Sequence, residues 1–296
     1  MRISVLLKET LQGFHRVTLP VLLIAGYSCI DDVPDIKLPP NEPKLVIFSA
    51  ITPDDSIRVN VHKSNPIFSE SVDPSSEPFP PVTNAVVSLS NESGEQVTIP
   101  YRSSDQLYSI GSDQFSIQEG MNYYLTISAP GFKTITASTT IPDQKAEISS
   151  IVVDTIINHD YYDYYESEIQ ITGEVLDNFE QENYYRVQVY YYTCYSYDYP
   201  NEAYPKNSRE FFSDAGNEGQ NIGFTYRFYY TDWDSIGIYV YSMEEEYYNY
   251  YRTLLDFSTE NPFSEPVPVY SNIKNGLGIF GSYLITSKTI LPDSEK

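Results

Sequence analysis

From residue 44 onward, apolar and polar positions alternate with a period of two. In the run 56–63, Ile57, Val59 and Val61 fall on one side and Arg58, Asn60 and His62 on the other, the pattern of a half-buried strand. Similar alternation predicts strands over 85–90, 96–101, 114–118, 122–128 and 133–141, with turn residues at 91–94, 111–113, 119–120 and 130–131 between them. Residues 65–81 carry Pro66, Pro74, Pro78, Pro80 and Pro81, and read as a loop, because each proline removes a ladder donor. Short strands at this spacing, with no helical segment between them, predict an antiparallel sandwich over 44–142.

Pro142-Asp143-Gln144-Lys145 marks the expected boundary to a second β domain over 143–290, ahead of a short tail, 291–296. Strands are predicted there at 148–157, 168–176, 184–195, 224–231 and 236–241, and a last pair at 267–271 and 279–285. The strand at 184–195 is aromatic on both sides, so it is either covered twice or exposes a tyrosine face. One helix near 243–257 interrupts the β pattern. Ser242 followed by Glu245 reads as a capping box, and Tyr247, Tyr250, Tyr251, Leu254 and Leu255 recur at helical spacing. The fold class is therefore mostly β: an N-terminal sandwich, then a tyrosine-rich β domain carrying one amphipathic helix.

Ahead of these domains the pattern changes. Arg2, Lys8 and Arg16 precede an apolar run of about ten residues, too short to span a bilayer, which needs about twenty. Residues 1–28 read as a lipoprotein signal peptide. Ser28-Cys29 resembles a bacterial lipobox, in which Cys29 becomes the acylated N-terminus; the alternative is a disulfide with Cys194. Asp31-Asp32 resembles the signal that sends Bacteroidota lipoproteins to the cell exterior. Residues 29–43 hold four prolines and several carboxylates, a stiff solvated tether.

Charge narrows the function. Asp and Glu number 41 against 18 Lys and Arg, a formal net charge of −23. Phosphate contacts depend on Lys and Arg, so this balance points away from nucleic acid. With the leader removed, Arg2, Lys8, Arg16 and Glu9 go, and −23 becomes −25. Tyrosine, at 29 residues, argues against wholesale disorder. His15, His62 and His159 are widely spaced and give histidine catalysis or zinc few parts.

Chemical motifs are sparse. Gly276-Leu277-Gly278-Ile279-Phe280-Gly281 matches the dinucleotide pattern, but a β-type run follows it where a helix is needed, so it reads as a glycine turn at the start of a strand, and no cofactor is expected. Carboxylates cluster at 160–168, 198–202 and 214–218; they read as solvated loops, with calcium or acid/base chemistry as the alternatives. No metal site is assigned. The tyrosine clusters stand out most, since tyrosine joins a large apolar face to a hydroxyl at small entropic cost. Tyr161, Tyr162, Tyr164, Tyr165, Tyr195, Tyr197 and Tyr199 are the candidate partner surface.

Two resemblances add to this. Phe115-x-Ile117-x-x-Gly120-x-x-Tyr123-Tyr124-Leu125-x-Ile127, followed by Gly131-Phe132, resembles the transthyretin-like or carboxypeptidase-regulatory-like sandwich. The run from Asn261 to Gly281, with the tyrosine/leucine helix before it, is similar to the hallmark of an uncharacterised Bacteroidota lipoprotein family, domain of unknown function 4249. That resemblance implies an outer-membrane lipoprotein, lipid-anchored through Cys29, acting beside a SusC-like TonB-dependent receptor without catalytic residues. A structural or adhesive surface protein is the second expectation, and a carboxylate-based hydrolase the third.

Overall fold

The computed structural model describes residues 42–64, 80–159, 165–176, 181–193, 201–205, 210–215, 220–229, 232–258 and 268–292. Cys29, Asp31 and Asp32 lie outside these residues, as does Cys194. In the first half the strands are β1 (Leu45–Ile51), β2 (Ile57–Lys63), β3 (Val86–Asn91), β4 (Gln96–Ile99), β5 (Tyr101–Arg102), β6 (Leu107–Ile110), β7 (Asn122–Ser128) and β8 (Ile135–Thr140). There follow β9 (Glu147–His159), β10 (Tyr165–Leu176), β11 (Tyr184–Tyr192), β12 (Asn201–Glu202), β13 (Tyr204–Pro205), β14 (Phe211–Ser213), β15 (Ile222–Phe228), β16 (Ser235–Met243), the helix α1 (Glu245–Ser258) and β17 (Leu277–Ile290).

Three sheets result. A nine-stranded sheet runs β12-β11-β16-β17-β1-β2-β6-β5, with β14 also on β11; two four-stranded sheets run β4-β3-β7-β8 and β13-β15-β10-β9. The alternation along β1 and β2 puts Leu45, Ile47, Ile51, Ile57, Val59 and Val61 into one core, against Val87, Leu89, Leu125 and Ile127 of the first small sheet. A second core joins Val187, Val189, Ile236, Ile238 and Val240 of the large sheet to Ile169, Ile171, Phe224, Tyr226 and Phe228 of the other small sheet. Both cores lie on one face of the large sheet: Leu284 of the first pairs with Ser242, and Thr286 pairs with Val240 of the second, in the same β16–β17 ladder. The protein is thus mostly β, two sandwich-like layers sharing one sheet.

β1 and β17 pair in parallel, with Phe48 opposite Ile279, so the strand nearest the tether adjoins the last one. The pairing of the large sheet crosses the boundary expected at Pro142. The glycine run 276–281 forms this joint, and Gly278, at φ +101, lies against the carbonyl of Ile47. Gly281 leaves room for the ring of Tyr247, since a Cβ there would meet that ring at 2.5 Å. Asn272 holds the approach: its amide nitrogen donates to the Phe280 carbonyl at 2.7 Å and its oxygen accepts the Phe280 N–H at 3.0 Å.

Some expected elements differ. The stretch 114–118 is not a strand, although Phe115 and Ile117 are buried. The hydroxyl of Tyr123 accepts the Gln118 N–H at 2.8 Å and donates to the Ser116 carbonyl at 3.3 Å, so a side chain supplies bonds a ladder would have made. The strand falls instead at β6. Residues 268–271 are also not a strand, for there Tyr270 N–H donates to the Thr253 hydroxyl of α1 at 2.8 Å.

The helix packs on the reverse face of the large sheet, burying Tyr247 and Tyr248 with Phe211, Met243 and Ile279. Its tyrosine end is covered, whereas Leu254 and Leu255 are exposed, so the stripe expected to be continuous is buried only at its start. The cap also differs. Glu244 is the N-cap: its carbonyl accepts the Tyr248 N–H at 3.1 Å and its carboxyl takes the Tyr247 N–H. Ser242 is instead buried, accepting the Ala146 N–H at 2.8 Å.

β11 is covered twice. Tyr185, Val187 and Val189 enter the second core, while Tyr184 lies 5.0 Å from Tyr248 between ring centroids and Arg186 faces the helix side. The Arg186 guanidinium pairs with Glu210 at 2.5 Å and stands over the rings of Phe211, Tyr241 and Tyr251 at 5.0, 5.7 and 5.6 Å. Replacing Arg186 by methionine keeps the stem but strands Glu210, and should lower stability by about 2 kcal/mol in urea denaturation. Arg186→Lys should recover less than half of it, because an ammonium lacks the planar fork.

Candidate functional site

A cavity of about 400 Å³ opens where the two sandwiches and the start of α1 meet. Its walls come from three places: Gly120 and the strap 140–144 that leads from β8 to β9, the segment 181–185 entering β11, and 242–245 at the end of β16 and the first turn of α1.

The strap is fixed along its length. Gly120 N–H donates to the Ile141 carbonyl at 3.1 Å, and Ile141 N–H to the Met121 carbonyl at 3.1 Å. Farther on, Ala146 donates to Ser242 and accepts from the Thr286 hydroxyl at 2.5 Å, and Lys145 pairs with Asp54 at 2.9 Å. Segment 181–185 is held by Asp214, whose two carboxylate oxygens accept the Asn183 backbone N–H at 2.8 Å and its side-chain amide at 2.9 Å. Gln181 in turn donates to Asp143 at 3.1 Å. Walls tied this way need little reorganisation to receive a ligand.

The lining is acidic. Asp143, Glu182, Glu244 and Glu245 supply carboxyls, Gln144, Gln181 and Asn183 amides, and Tyr184 a phenol; no Lys, Arg or His lines it among the described residues. Burial, with Glu246 next, pushes the Glu244 carboxyl up to about 8, against the Tyr247 N–H that favours its ionised form. Burial and Glu245 likewise raise the Tyr184 phenol above its ordinary value. The cavity therefore offers donors and acceptors around a carboxyl that is largely neutral at pH 7.

The tyrosines expected to form a partner surface do not enter this site. Tyr161, Tyr162, Tyr164, Tyr195, Tyr197 and Tyr199 lie outside the described residues, and of Tyr165 only its place at the start of β10 is described. Most described tyrosines pack inward; Tyr124, Tyr204 and Tyr229 are exposed. Two of the acidic clusters depart from the solvated loops expected of them, for Asp214 is 1% exposed and Glu168 2%, the latter facing Arg227 at 3.5 Å. In the sequence the cavity is legible only in pieces, as the boundary at Pro142 and the acidic helix start. Their convergence depends on pairings distant in the chain. Among the described residues no three His, Cys, Asp or Glu side chains are grouped to hold a metal ion, and no helix is long and apolar enough to cross a membrane.

No curated protein matches the chain. Among solved structures it is similar to a biofilm-associated protein BSP domain, at 6% identity and a TM-score of 0.16, over 82% of this chain and 58% of that one, a likeness too distant to carry an argument. The chain spans little more than half the length of that neighbour. A family model, by contrast, matches residues 31–289, from the tether to the end of β17, and the chain accordingly belongs to the family described as Domain of unknown function (DUF4249).

Proposed function

We propose that this chain is a non-catalytic accessory of a SusC-like TonB-dependent receptor, and that it holds a polar ligand in the cavity at the joint of its two sandwiches. Acyl chains on Cys29 fasten it to the outer membrane, with Asp31 and Asp32 directing it to the outer face. The observation that carries the reading is the cavity, walled by hydrogen-bonded segments and rich in polar groups. The charge of −25 left once residues 1–28 are removed supports a body held away from an anionic surface by its tether. The test is purification of the native chain from detergent-solubilised membranes, with mass spectrometry of the Cys29 peptide. An acylated Cys29 and a stoichiometric β-barrel partner are expected. An acylated chain that purifies alone would favour a structural or adhesive role, and an unmodified thiol would end the outer-membrane reading.

One observation favours a second reading, a carboxylate-based hydrolase: Glu244 is raised toward neutrality beside Glu245 in a cavity. Glu244 is, however, already engaged as a helix cap and against the Thr139 hydroxyl. An accessory keeps ligand binding in Glu244→Gln, whereas a hydrolase loses turnover.

A further inference from the structure

The strands at the ends of the three sheets are short, with one exception. β12, β5 and β13 have two residues each, β14 three, β4 four and β8 six, whereas β9 has 13. β9 pairs with β10 in unbroken register from Ser150 opposite Glu174 to His159 opposite Tyr165. Among the described residues no backbone group of β9 bonds on its other side, so a row of N–H and C=O groups lies open along it. Folded proteins guard such edges with Lys or Pro. The open half of β17, residues 283–290, carries Lys288, but 150–159 of β9 hold no Lys, Arg or Pro and one carboxylate, Asp154.

The second sandwich is also unfinished at this edge. Ile169 and Ile171 of β10 are 3% and 0% exposed, while Ile151 and Val153, the next apolar row, are only half-buried, and Val152 on the outer face is 51% exposed. The Tyr226 hydroxyl donates to the Val187 carbonyl and Phe228 stacks on Tyr191 at 4.0 Å, which sets β15 over β11. At the other side the Thr286 hydroxyl donates to the Ala146 carbonyl, which sets β17 beneath the start of β9. β1 pairs with β17 only as far as Ser282, so past that point both layers end on the same side and leave room for more chain.

We propose that β9 pairs antiparallel with β9 of a second copy of this chain, about a two-fold axis at Val152. Opposite residues of an antiparallel pair share a face. This register sets Ile151 opposite Val153 of the second copy, which continues the apolar row, and Ser150 opposite Asp154 of the second copy. An axis on Asp154 would oppose two carboxylates, and one on Val153 would set Ile151 against Thr155. With the axis perpendicular to the sheet, both inner rows stay inward and the two small sheets become one. The net charge of −23 repels a second copy at long range, but salt screens that repulsion and the paired strands themselves are nearly neutral. The contact requires neither a ligand in the cavity nor an acylated Cys29.

Sedimentation velocity of the full chain tests this, with Cys29→Ser to keep acyl groups from driving association and about 0.3 M salt to screen the bodies. The mass should double between about 1 and about 100 µM. Val152→Lys and Val152→Glu should each raise the midpoint about tenfold or more, because like charges then face each other across the axis. Val152 is exposed, so an unchanged Tm should report that both variants fold. Mixed in equal amounts they should recover the wild-type midpoint, since an ammonium then meets a carboxylate. A chain still monomeric at about 100 µM overturns the proposal and leaves the edge to a strand of another protein. A dimer indifferent to both substitutions overturns it as well, as does a mixture that associates no better than either variant alone.

Discussion

Replacing Gly278 by alanine should destabilise the protein by about 3 to 5 kcal/mol and lower Tm by roughly 10 °C. A Cβ on this residue would lie 1.8 Å from the Ile47 carbonyl oxygen and 3.0 Å from the Ile47 amide nitrogen. These are backbone atoms of β1, which sits inside the large sheet between β17 and β2 and cannot swing aside as a side chain could. The left-handed φ of +101 adds strain for any L side chain. Gly94 separates the two effects, for its φ is +87 but nothing lies within 4 Å of its added Cβ. Gly94→Ala should therefore cost only about 1 kcal/mol. Denaturant titration of the two variants decides the matter: equal losses would mean that the β1–β17 contact contributes little.

Stability should decline as pH rises from about 5 to about 8.5, the reverse of ordinary acid denaturation. Folded Glu244 keeps its proton up to about 8, while in the unfolded chain it releases it near the ordinary 4.5. Between those values the folded state binds more protons than the unfolded one, so each step up in pH favours unfolding. Its stabilising contribution is complete below the lower value and gone above the higher one. Glu244→Gln should match wild type near pH 5 and exceed it by about 2 kcal/mol near pH 8.5, after allowing for partial solvent screening. Taking the difference between variant and wild type across the pH series isolates this one carboxyl from the other 40 acidic residues. A wild-type curve that rises from pH 5 to 8.5 in step with the variant would mean Glu244 titrates as a surface carboxyl.

Where a strand's own alternation decides which face is buried, the sequence was enough. Ile57, Val59 and Val61 are each at most 2% exposed, as are Tyr123, Leu125 and Ile127, and Gly120 makes its turn at φ +70. A period of two needs no knowledge of what lies opposite. It fails at Phe115 and Ile117, which bury apolar side chains as a strand would, while the neighbouring Ser116 carbonyl and Gln118 N–H bond to the Tyr123 hydroxyl instead of a partner strand. It fails again at β6, Leu107–Ile110, where Tyr108, Ser109 and Ile110 are all buried and no alternation marks the element. The helix was legible from its spacing, but its cap was not, because Ser242 finds its partner in Ala146, 96 residues away.

By itself, then, the chain determined a β-rich body, its strand faces, one tyrosine-bearing helix, and a glycine run that is a turn and strand rather than a cofactor loop. These are local properties, set by side-chain period and by which backbone angles a residue tolerates. Only the tertiary structure decided that β17 would lie parallel to β1, that the two halves would share a sheet, and that Asp143, Asn183 and Glu244 would surround one cavity. The same is true of the Glu244 carboxyl, whose neutrality follows from burial and from neighbours brought together by folding. Pairing between segments over a hundred residues apart leaves no periodic trace in either of them, since each strand's pattern records only that it has a buried side and not which strand provides it.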